Sequence, residues 1–181
     1  MANSKETLKE SLRTQIQSVL QTPGFERLVP EVGSNFVACL PGATQMEQVA
    51  GLTGRIILVR GKPQAVGEVD FGWAPFMGRV ILKAHSYKPA IHAAIALRNT
   101  PTIVEGCRNS GLQVVGYRLP ARQPVPDCMT LAALEKLRFV PEVLFDWGAH
   151  GIEPLVVVFG TTPKEVTTRI EMILFELSAL E

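Results

Sequence analysis

Residues 54–79 read GRIILVRGKPQAVGEVDFGWAPFMGR, and we expect this stretch to lie at the centre of the fold. An apolar run at 55–59 turns at a Gly-Lys-Pro sequence and returns at 64–66, which predicts a strand and its antiparallel neighbour. After a glycine-rich loop, Pro75 suits the first turn of a helix, and apolar residues then recur at helical spacing until the chain reaches Pro89. The stretch therefore predicts a hairpin, a loop and a buried helix.

The same stretch carries the groups that an anion site needs. Arg55 begins the first strand, Arg79 lies early in the predicted helix, and Gly54 and Gly72 allow the backbone to approach a ligand. Guanidinium groups bind phosphate oxygens in pairs, and a helix N-terminus presents free N–H groups. The alternative is an ordinary hairpin and helix with surface arginines.

Outward from this stretch, the alternation of strands and helices predicts a layered α/β fold. Short apolar runs predict buried strands at 35–40, 113–117, 143–145 and 155–159. Capping and proline signals predict helices at 44–50, 100–110, 130–137 and 162–177, while 91–97 fits either a strand or a helix. Because the strands are continuously apolar, we expect a sheet that helices cover on both faces.

Length and composition predict a single domain over residues 1–181. Its first 23 residues form an amphipathic helix that we expect to pack on a core of residues 24–181. Apolar residues make up 46% of the chain and the net charge is +1, so neither a nucleic-acid surface nor a membrane surface is expected. A homo-oligomer is compatible with this composition.

The cysteines predict the compartment. Cys39, Cys107 and Cys128 are isolated in the sequence, which is typical of buried thiols in a reducing cytosol. The N-terminus is charged and lacks the apolar core of a signal peptide, and no apolar run approaches ~18 residues. We therefore expect a cytoplasmic protein.

Two further loops are candidate binding loops. In EVGSN (31–35), Gly33 lets the backbone approach a ligand, and Ser34 and Asn35 offer neutral donors, unless these side chains only bond their own turn. In DWGAHGIEP (146–154), Asp146 is a candidate ligand for magnesium or a polar ring; otherwise it caps a tight loop.

Familiar catalytic patterns are absent from the sequence. It contains no dinucleotide-binding glycine motif, P-loop, nucleophile elbow or zinc-protease motif. His85, His92 and His150 are each predicted to have an ordinary core or surface role. No His, Cys and carboxylate residues have metal-ligand spacing, so no metal is predicted beyond magnesium at Asp146, and a zinc-dependent aldolase site is disfavoured.

An ordered set of motifs carries a family resemblance. PEVGSNFVACLPGA, then GRI, GEVDFG, M-G-R and finally D-x-G-x-x-G-x-E-P resemble, in order and spacing, the archaeal-type thiamine-phosphate synthase domain, the ThiN type. The resemblance extends from about Phe25 to about Ile173. It implies a three-layer α/β/α sandwich of the class II aldolase type, with a mixed central sheet.

The resemblance also implies a reaction and a site. The reaction joins hydroxymethylpyrimidine diphosphate to thiazole phosphate, releasing pyrophosphate, with magnesium as a candidate cofactor. Arg55, Arg79 and Arg98 match family arginines, of which Arg55 and Arg79 are the candidate catalytic residues. The predicted ligand- and phosphate-binding residues are Gly33, Ser34, Asn35, Gly54, Arg55, Gly72, Phe76, Met77, Arg79, Arg98, Asp146, Gly148 and Glu153.

Two departures from the family pattern decide between functions. Phe76 stands where the family has the histidine of S-H-M-A-R, and Ala96 stands where it has the asparagine of N-I-R. A histidine donates to a leaving phosphate oxygen and phenylalanine cannot, which typically costs about 10²–10³ in rate. We favour a domain that binds thiamine phosphate or a precursor with weak or lost synthase activity. The alternatives are an active synthase and a structural oligomer without a ligand.

Overall fold

The computed structural model describes residues 2–180, with side chains from residue 4 onward. Within these residues the helices are α1 (Ala2–Gln21), α2 (Pro75–Tyr87), α3 (Pro101–Asn109), α4 (Met129–Leu137) and α5 (Pro163–Ala179). The strands are β1 (Phe36–Cys39), β2 (Val49–Leu52), β3 (Ile56–Val59), β4 (Lys62–Ala65), β5 (Val69–Phe71), β6 (Ala93–Arg98), β7 (Val114–Tyr117), β8 (Val143–Asp146) and β9 (Leu155–Gly160). None of these helices is both long enough and apolar enough to span a membrane.

Seven strands form one mixed sheet in the order β5-β2-β1-β6-β9-β8-β7. β7 and β8 are parallel, and the other neighbouring strands are antiparallel. β3 and β4 form a separate hairpin, as residues 54–66 predict, and a bridge between Ser34 and Ile56 attaches it to the start of β1. The start of β1, the end of β6 and the start of β9 therefore lie side by side at the same end of the strands.

Helices cover both faces of the sheet, which confirms the predicted three-layer α/β/α sandwich. On one face, α1, α3 and α5 bury an apolar layer that includes Leu12, Cys107 and Ile170. On the other face, α2 and α4 bury a layer that includes Ile81 and Leu134. β1, β6, β8 and β9 send alternate side chains into the two layers, so their residues are buried on both sides.

The caps that were read from the sequence fix two helix starts. The hydroxyl of Thr100 accepts a hydrogen bond from the backbone N–H of Ile103, and Pro101 occupies the first turn of α3. Thr162 and Pro163 do the same for α5, where the Thr162 hydroxyl accepts from the N–H of Glu165. These contacts satisfy N–H groups that a helix start leaves unpaired.

One predicted helix is wrong. We expected a helix over 44–50 that stops at Gly51, but only a 3-10 turn at Met46–Gln48 forms before β2 begins at Val49. The capping box is also shifted, because Gln45 and Gln48 make it. A Cβ on Gly51 would lie 2.9 Å from the Cβ of Ala74, so this glycine permits close packing of the strand and does not end a helix.

The remaining differences concern short strands. β5 (Val69–Phe71) lies in a segment that we expected to be a glycine-rich loop, and it pairs with β2. The ambiguous stretch 91–97 is β6, the strand at the middle of the sheet. Its alanines favour a helix in isolation, but pairing on both edges with β1 and β9 outweighs that local preference.

Candidate ligand-binding site

A cavity of about 490 Å³ opens at the end of the sheet where β1 and β9 begin and β6 ends. Most of its lining comes from four segments, which are the loop before β1, the connection between β2 and β3, the start of α2 and the loop before β9. Ala96 of β6 and Leu155 of β9 form its floor on the α2 side of the sheet. We name it the Arg55 cavity after the cation in its lining. Its volume is in the range of small-molecule sites.

Arg55 is held at the wall of the cavity by the loop that precedes β1. One guanidinium nitrogen donates a hydrogen bond to the backbone oxygen of Val32. A Cβ on Gly33 would lie 3.1 Å from both the Cβ and the Cδ of Arg55, so the arginine stem packs directly over that glycine. Gly33 also has a φ of 79°, which favours glycine. The loop thus orients a cation whose other N–H donors can still bind a ligand.

The N-terminus of α2 opens into the same cavity. Ala74 is the N-cap residue and makes no side-chain cap hydrogen bond, while Pro75 occupies the first turn. Pro75, Phe76 and Met77 all contribute to the cavity lining. A helix start without a side-chain acceptor retains free N–H groups and a partial positive charge, both of which favour an anion.

Asn35 and Gly54 shape the wall between Arg55 and the sheet. The Asn35 amide donates to the backbone oxygens of Leu52 and Gly54, at 3.1 and 3.2 Å, and its oxygen accepts from the N–H of Leu52 at 3.2 Å. A Cβ on Gly54 would lie 2.4 Å from the oxygen of Val66. Asn35 therefore joins β1 to β2 at the lining, and its side-chain donors are already used.

Glu153 connects two loops across the mouth of the cavity. Its two carboxylate oxygens accept hydrogen bonds from the backbone N–H groups of Glu31 and Val32, each at 2.9 Å. These bonds attach the loop 146–154 to the loop before β1, whose Val32 backbone oxygen accepts the hydrogen bond from Arg55. The carboxylate is engaged with the backbone, so the geometry supports a positioning role for Glu153.

Apolar and aromatic surfaces complete the lining. Trp73 is 62% exposed at the cavity mouth, and Phe76 is half-buried beside it. Met77, Ile152 and Leu155 add aliphatic surface deeper in the cavity. A cation and a helix N-terminus in the lining of one cavity, together with rings and aliphatic groups, can accommodate a molecule that has a charged end and a flat apolar end.

Arg79 has a different environment from Arg55. Its guanidinium donates to the Asp127 carboxylate at 2.7 Å, and both side chains are exposed. This hydrogen bond lowers the pKa of Asp127. Arg79 lines a neighbouring depression together with Gly72, Met46 and Phe76. In the described part of the chain the two depressions share Pro75 and Phe76, so Arg79 lies next to the Arg55 cavity without lining it.

Two more predicted residues lie near the cavity but outside its lining. Ser34 is fully buried, and its hydroxyl donates to the backbone oxygen of Ala96. Arg98 is the last residue of β6, where it lies opposite Leu155 in the strand register. Whether either side chain contacts a ligand stays a prediction.

Asp146 is buried at the end of β8. One carboxylate oxygen accepts from the N–H of Gly148 at 2.8 Å, and the other accepts from the hydroxyl of Thr130 at 3.3 Å. Burial raises the pKa of Asp146 to about 6, against the lowering effect of these hydrogen bonds. Gly148 has a φ of 63°, and a Cβ there would lie 2.5 Å from the oxygen of Ile152. These contacts fix the loop that carries Glu153.

The structure thus brings together about half of the predicted site residues. Those in the cavity lining are Gly33, Asn35, Gly54, Arg55, Phe76, Met77 and Glu153. Sequence reasoning missed Trp73, Ile152 and Leu155 as lining residues. Trp73 had a usable signal, since a tryptophan between a glycine and the start of a helix is placed to border a site at that helix. Leu155 had none, because an apolar residue at a strand start is normally buried in the core.

Comparison with known proteins agrees with this architecture. The fold is that of the class II aldolases: an aldolase II superfamily protein from Pseudomonas syringae matches 96% of this chain and 74% of its own, with a TM-score of 0.56 and 10% identity. This likeness defines the class of fold. A family model described as "Thiamine-phosphate synthase ThiN" matches residues 11–172. The chain belongs to the ThiN family.

Curated relatives and a solved structure agree with that membership. The bifunctional thiamine biosynthesis protein ThiDN of Methanocaldococcus jannaschii is 32% identical over 150 residues, covering 81% of this chain and 36% of the relative. The chain thus spans about a third of that relative's length. Thiamine-phosphate synthase ThiN of Methanothermobacter thermautotrophicus is 26% identical, covering 95% of both chains. The C-terminal domain of a phosphomethylpyrimidine kinase superposes with a TM-score of 0.82 at 30% identity, covering 93% of this chain and 99% of that domain.

Proposed function

We propose that this chain binds thiamine phosphate, or one of its phosphorylated pyrimidine or thiazole precursors, in the Arg55 cavity, and that its synthase activity is weak or lost. One observation carries the proposal: Arg55 and the start of α2, which has no side-chain cap, line the same cavity as Trp73 and Phe76. Membership of the ThiN family supports this class of ligand.

The phosphate is assigned to the wall formed by Arg55 and the start of α2. The guanidinium of Arg55 keeps its positive charge at any physiological pH and offers several N–H donors on one plane. The N–H groups of Phe76 and Met77 belong to the first turn of α2 and add donors from a second direction. Two sources of positive charge in the lining of one cavity favour a phosphate or diphosphate over a neutral ligand.

The ring of the ligand is assigned to the aromatic side of the cavity. Trp73 and Phe76 present apolar rings next to the phosphate wall, and offset stacking of a heterocycle on such rings contributes about 0.5–1.5 kcal/mol beyond area burial. In this assignment Phe76, at the position of the family histidine, serves as a ring contact.

The residues that line the Arg55 cavity are the reason why we propose weak or lost synthase activity. Within the described residues, the Arg55 cavity is lined by no histidine, and the Glu153 carboxylate already accepts two backbone hydrogen bonds. Departure of pyrophosphate would therefore rely on Arg55 and the α2 N–H groups without a side-chain acid. Fixed positive charge alone supports binding of the leaving group and slow turnover at most.

Magnesium at Asp146 does not fit the geometry. The carboxylate is 2% exposed and both its oxygens accept hydrogen bonds within the protein. A magnesium ion keeps several waters around it and needs an accessible oxygen. We therefore derive no step through a metal ion bound there.

Calorimetry and a synthase assay test the proposal separately. Titration with thiamine phosphate is expected to show one binding site per chain, with thiamine itself binding at least tenfold more weakly because it lacks the phosphate. Absence of binding by thiamine phosphate and by both precursors would overturn the proposal and leave a structural role for the fold.

The assay supplies both precursors and magnesium and measures formation of thiamine phosphate. Turnover close to that of the Methanothermobacter relative would show an active synthase and contradict the loss of activity. We further expect that Phe76→His alone does not restore full turnover, because Ala96 still lacks the polar group of the family pattern.

A further inference from the structure

A cluster of metal-ligating side chains lies at the opposite end of the strands from the Arg55 cavity. Cys39 ends β1, His92 immediately precedes β6, and His85 lies in the last turn of α2. One ligand atom from each residue lies within 4.8 Å of the ligand atoms of the other two. We propose that this cluster is a zinc site with one thiolate and two imidazole ligands, distinct from the cavity and beyond the proposed function.

The sheet topology creates the cluster, which sequence spacing does not show. β1 and β6 are antiparallel neighbours, so the end of β1 meets the start of β6. The backbone N–H of Cys39 donates to the oxygen of His92 at 2.8 Å, and this bond fixes the two residues side by side. Cys39 Sγ lies 3.9 Å from His92 Nδ1. Zinc bonds of about 2.0–2.3 Å at tetrahedral angles place neighbouring ligand atoms about 3.5 Å apart, close to this separation.

The second histidine is already held in the orientation that a ligand needs. His85 Nδ1 lies 2.9 Å from the backbone oxygen of Ile91, and Nε2 accepts from the N–H of Gly42 at 3.1 Å. A carbonyl partner at one ring nitrogen leaves the lone pair on the other, which is the arrangement found behind many zinc-bound histidines. Zinc would take the place of the Gly42 N–H, and Gly42 lies in an exposed turn where that group can bind water.

The ligand atoms lie within 4.8 Å of one another, so a relative shift of about 1 Å brings them to tetrahedral distance. The rings of His85 and His92 already lie 4.8 Å apart at their centroids, and His92 is only partly buried, so it can rotate and admit the ion. These are changes of side-chain rotation and of one turn, and they leave β1, β6 and α2 unchanged.

The ligand types of the cluster decide which metal it fits. The thiolate is the form of cysteine that binds a metal, so a bound ion must displace the proton of the Cys39 thiol. Thiolate and imidazole ligands select zinc over magnesium or calcium, which prefer oxygen.

Cobalt spectroscopy on the chelator-treated chain tests the site. Co²⁺ bound to a thiolate gives an intense charge-transfer absorption, and we expect one Co²⁺ per chain with that absorption, followed by its loss on addition of Zn²⁺. Cys39→Ser should abolish the thiolate absorption, and His92→Gln should weaken the affinity for Co²⁺ at least tenfold. Circular dichroism checks that each variant is folded.

Cys128→Ser is the matched control. Cys128 is also a buried thiol, but its sulfur accepts from the N–H of Leu131 as the N-cap of α4, a role that serine fills well. This variant should keep the charge-transfer absorption and the affinity of the natural chain. Absence of a thiolate absorption in the natural chain, or its persistence in Cys39→Ser, would overturn the site. Affinity for thiamine phosphate should be the same in Cys39→Ser, which separates this test from that of the cavity.

Discussion

Arg55 and Arg79 differ in the availability of their charge, although both were predicted to hold a phosphate. The Arg55 guanidinium donates to a neutral backbone oxygen at the wall of the open Arg55 cavity. The Arg79 guanidinium is already neutralised by Asp127 at 2.7 Å, on an exposed surface. A bound phosphate gains the charge of Arg55 directly, whereas at Arg79 it must compete with a carboxylate. The partner of a cation, and not its residue type, decides whether it can bind an anion.

Removing Arg55 is expected to have the largest effect on ligand binding. Arg55→Ala should weaken binding of thiamine phosphate about 10- to 100-fold, because hydrogen bonds to charged groups contribute about 1.5–3 kcal/mol. Calorimetry measures the change, and Arg55→Lys, which keeps the charge without the paired donors, should fall between the variant and the natural chain. Unchanged affinity in Arg55→Ala would place the ligand elsewhere.

The carboxyl groups of Asp146 and Asp127 provide a second comparison. The pKa of Asp146 is raised to about 6 by burial, whereas the pKa of the exposed Asp127 is lowered by its hydrogen bond to Arg79. Because the folded chain holds the Asp146 proton more tightly than the unfolded chain, this group's contribution to stability is full at low pH. It falls as the pH rises from about 4 to about 6.

Asp146→Asn should therefore gain stability over the natural chain as the pH rises through this window, by roughly 3 kcal/mol at most. An amide can still accept from Gly148 and donate to Thr130. Urea unfolding at pH 4 and pH 7 measures the difference. Asp127→Asn is the control and should show no such gain, since its pKa is shifted in the opposite direction. A gain of equal size in both variants would show that burial of Asp146 is not the cause.

Gly33→Ala should weaken ligand binding about tenfold. The added methyl group would lie 3.1 Å from the Arg55 stem and from the backbone oxygen of Ile56, so these neighbours must shift by a few tenths of an ångström and the guanidinium is displaced from its position at the cavity. The positive φ adds a stability cost of about 1 kcal/mol. Gly111→Ala is a matched control, because that glycine also has a positive φ but has open space around it. If both variants lose affinity equally, backbone strain is responsible and not displacement of Arg55.

Removing Arg79 is expected to have the smallest effect on ligand binding. Arg79→Ala should change the affinity for thiamine phosphate less than threefold, since an exposed ion pair contributes about 0–1 kcal/mol and Arg79 lies outside the cavity lining. Asp127→Ala sharpens this comparison, because it frees the Arg79 charge. A tenfold loss in Arg79→Ala would mean that Arg79 leaves Asp127 and turns to the phosphate.

The sequence predicted most of the architecture because its signals are local. Thr100 with Pro101, and Thr162 with Pro163, start helices through contacts within one turn, and these predictions are confirmed. The helix at 44–50 failed because pairing of Val49–Leu52 with two neighbouring strands is a long-range contact. β6 was ambiguous for the same reason, since only its neighbours β1 and β9 decide between a strand and a helix.

The candidate site was predictable where family motifs mark the residues. Gly33 and Arg55 were found that way, and the structure adds the reason, namely packing of the arginine stem over the glycine. Glu153, predicted as a ligand-binding residue, lies in the cavity lining, but its hydrogen bonds to Glu31 and Val32 cross 122 and 121 positions of sequence. No local pattern reveals such a contact. Cys39, His85 and His92 were likewise unrelated until the sheet placed them together.

Because of the hydrogen bonds of Glu153, the cavity also forms only when both the early and the late parts of the chain are folded. These hydrogen bonds join the early and late parts of the chain, so neither part alone can build the mouth of the cavity. A ligand in that position selects only chains in which both halves have folded and met. By mass action it protects the entire fold against global unfolding. The slowest-exchanging amides, which open only by global unfolding, should therefore slow by the same factor in helices far from the ligand as beside it.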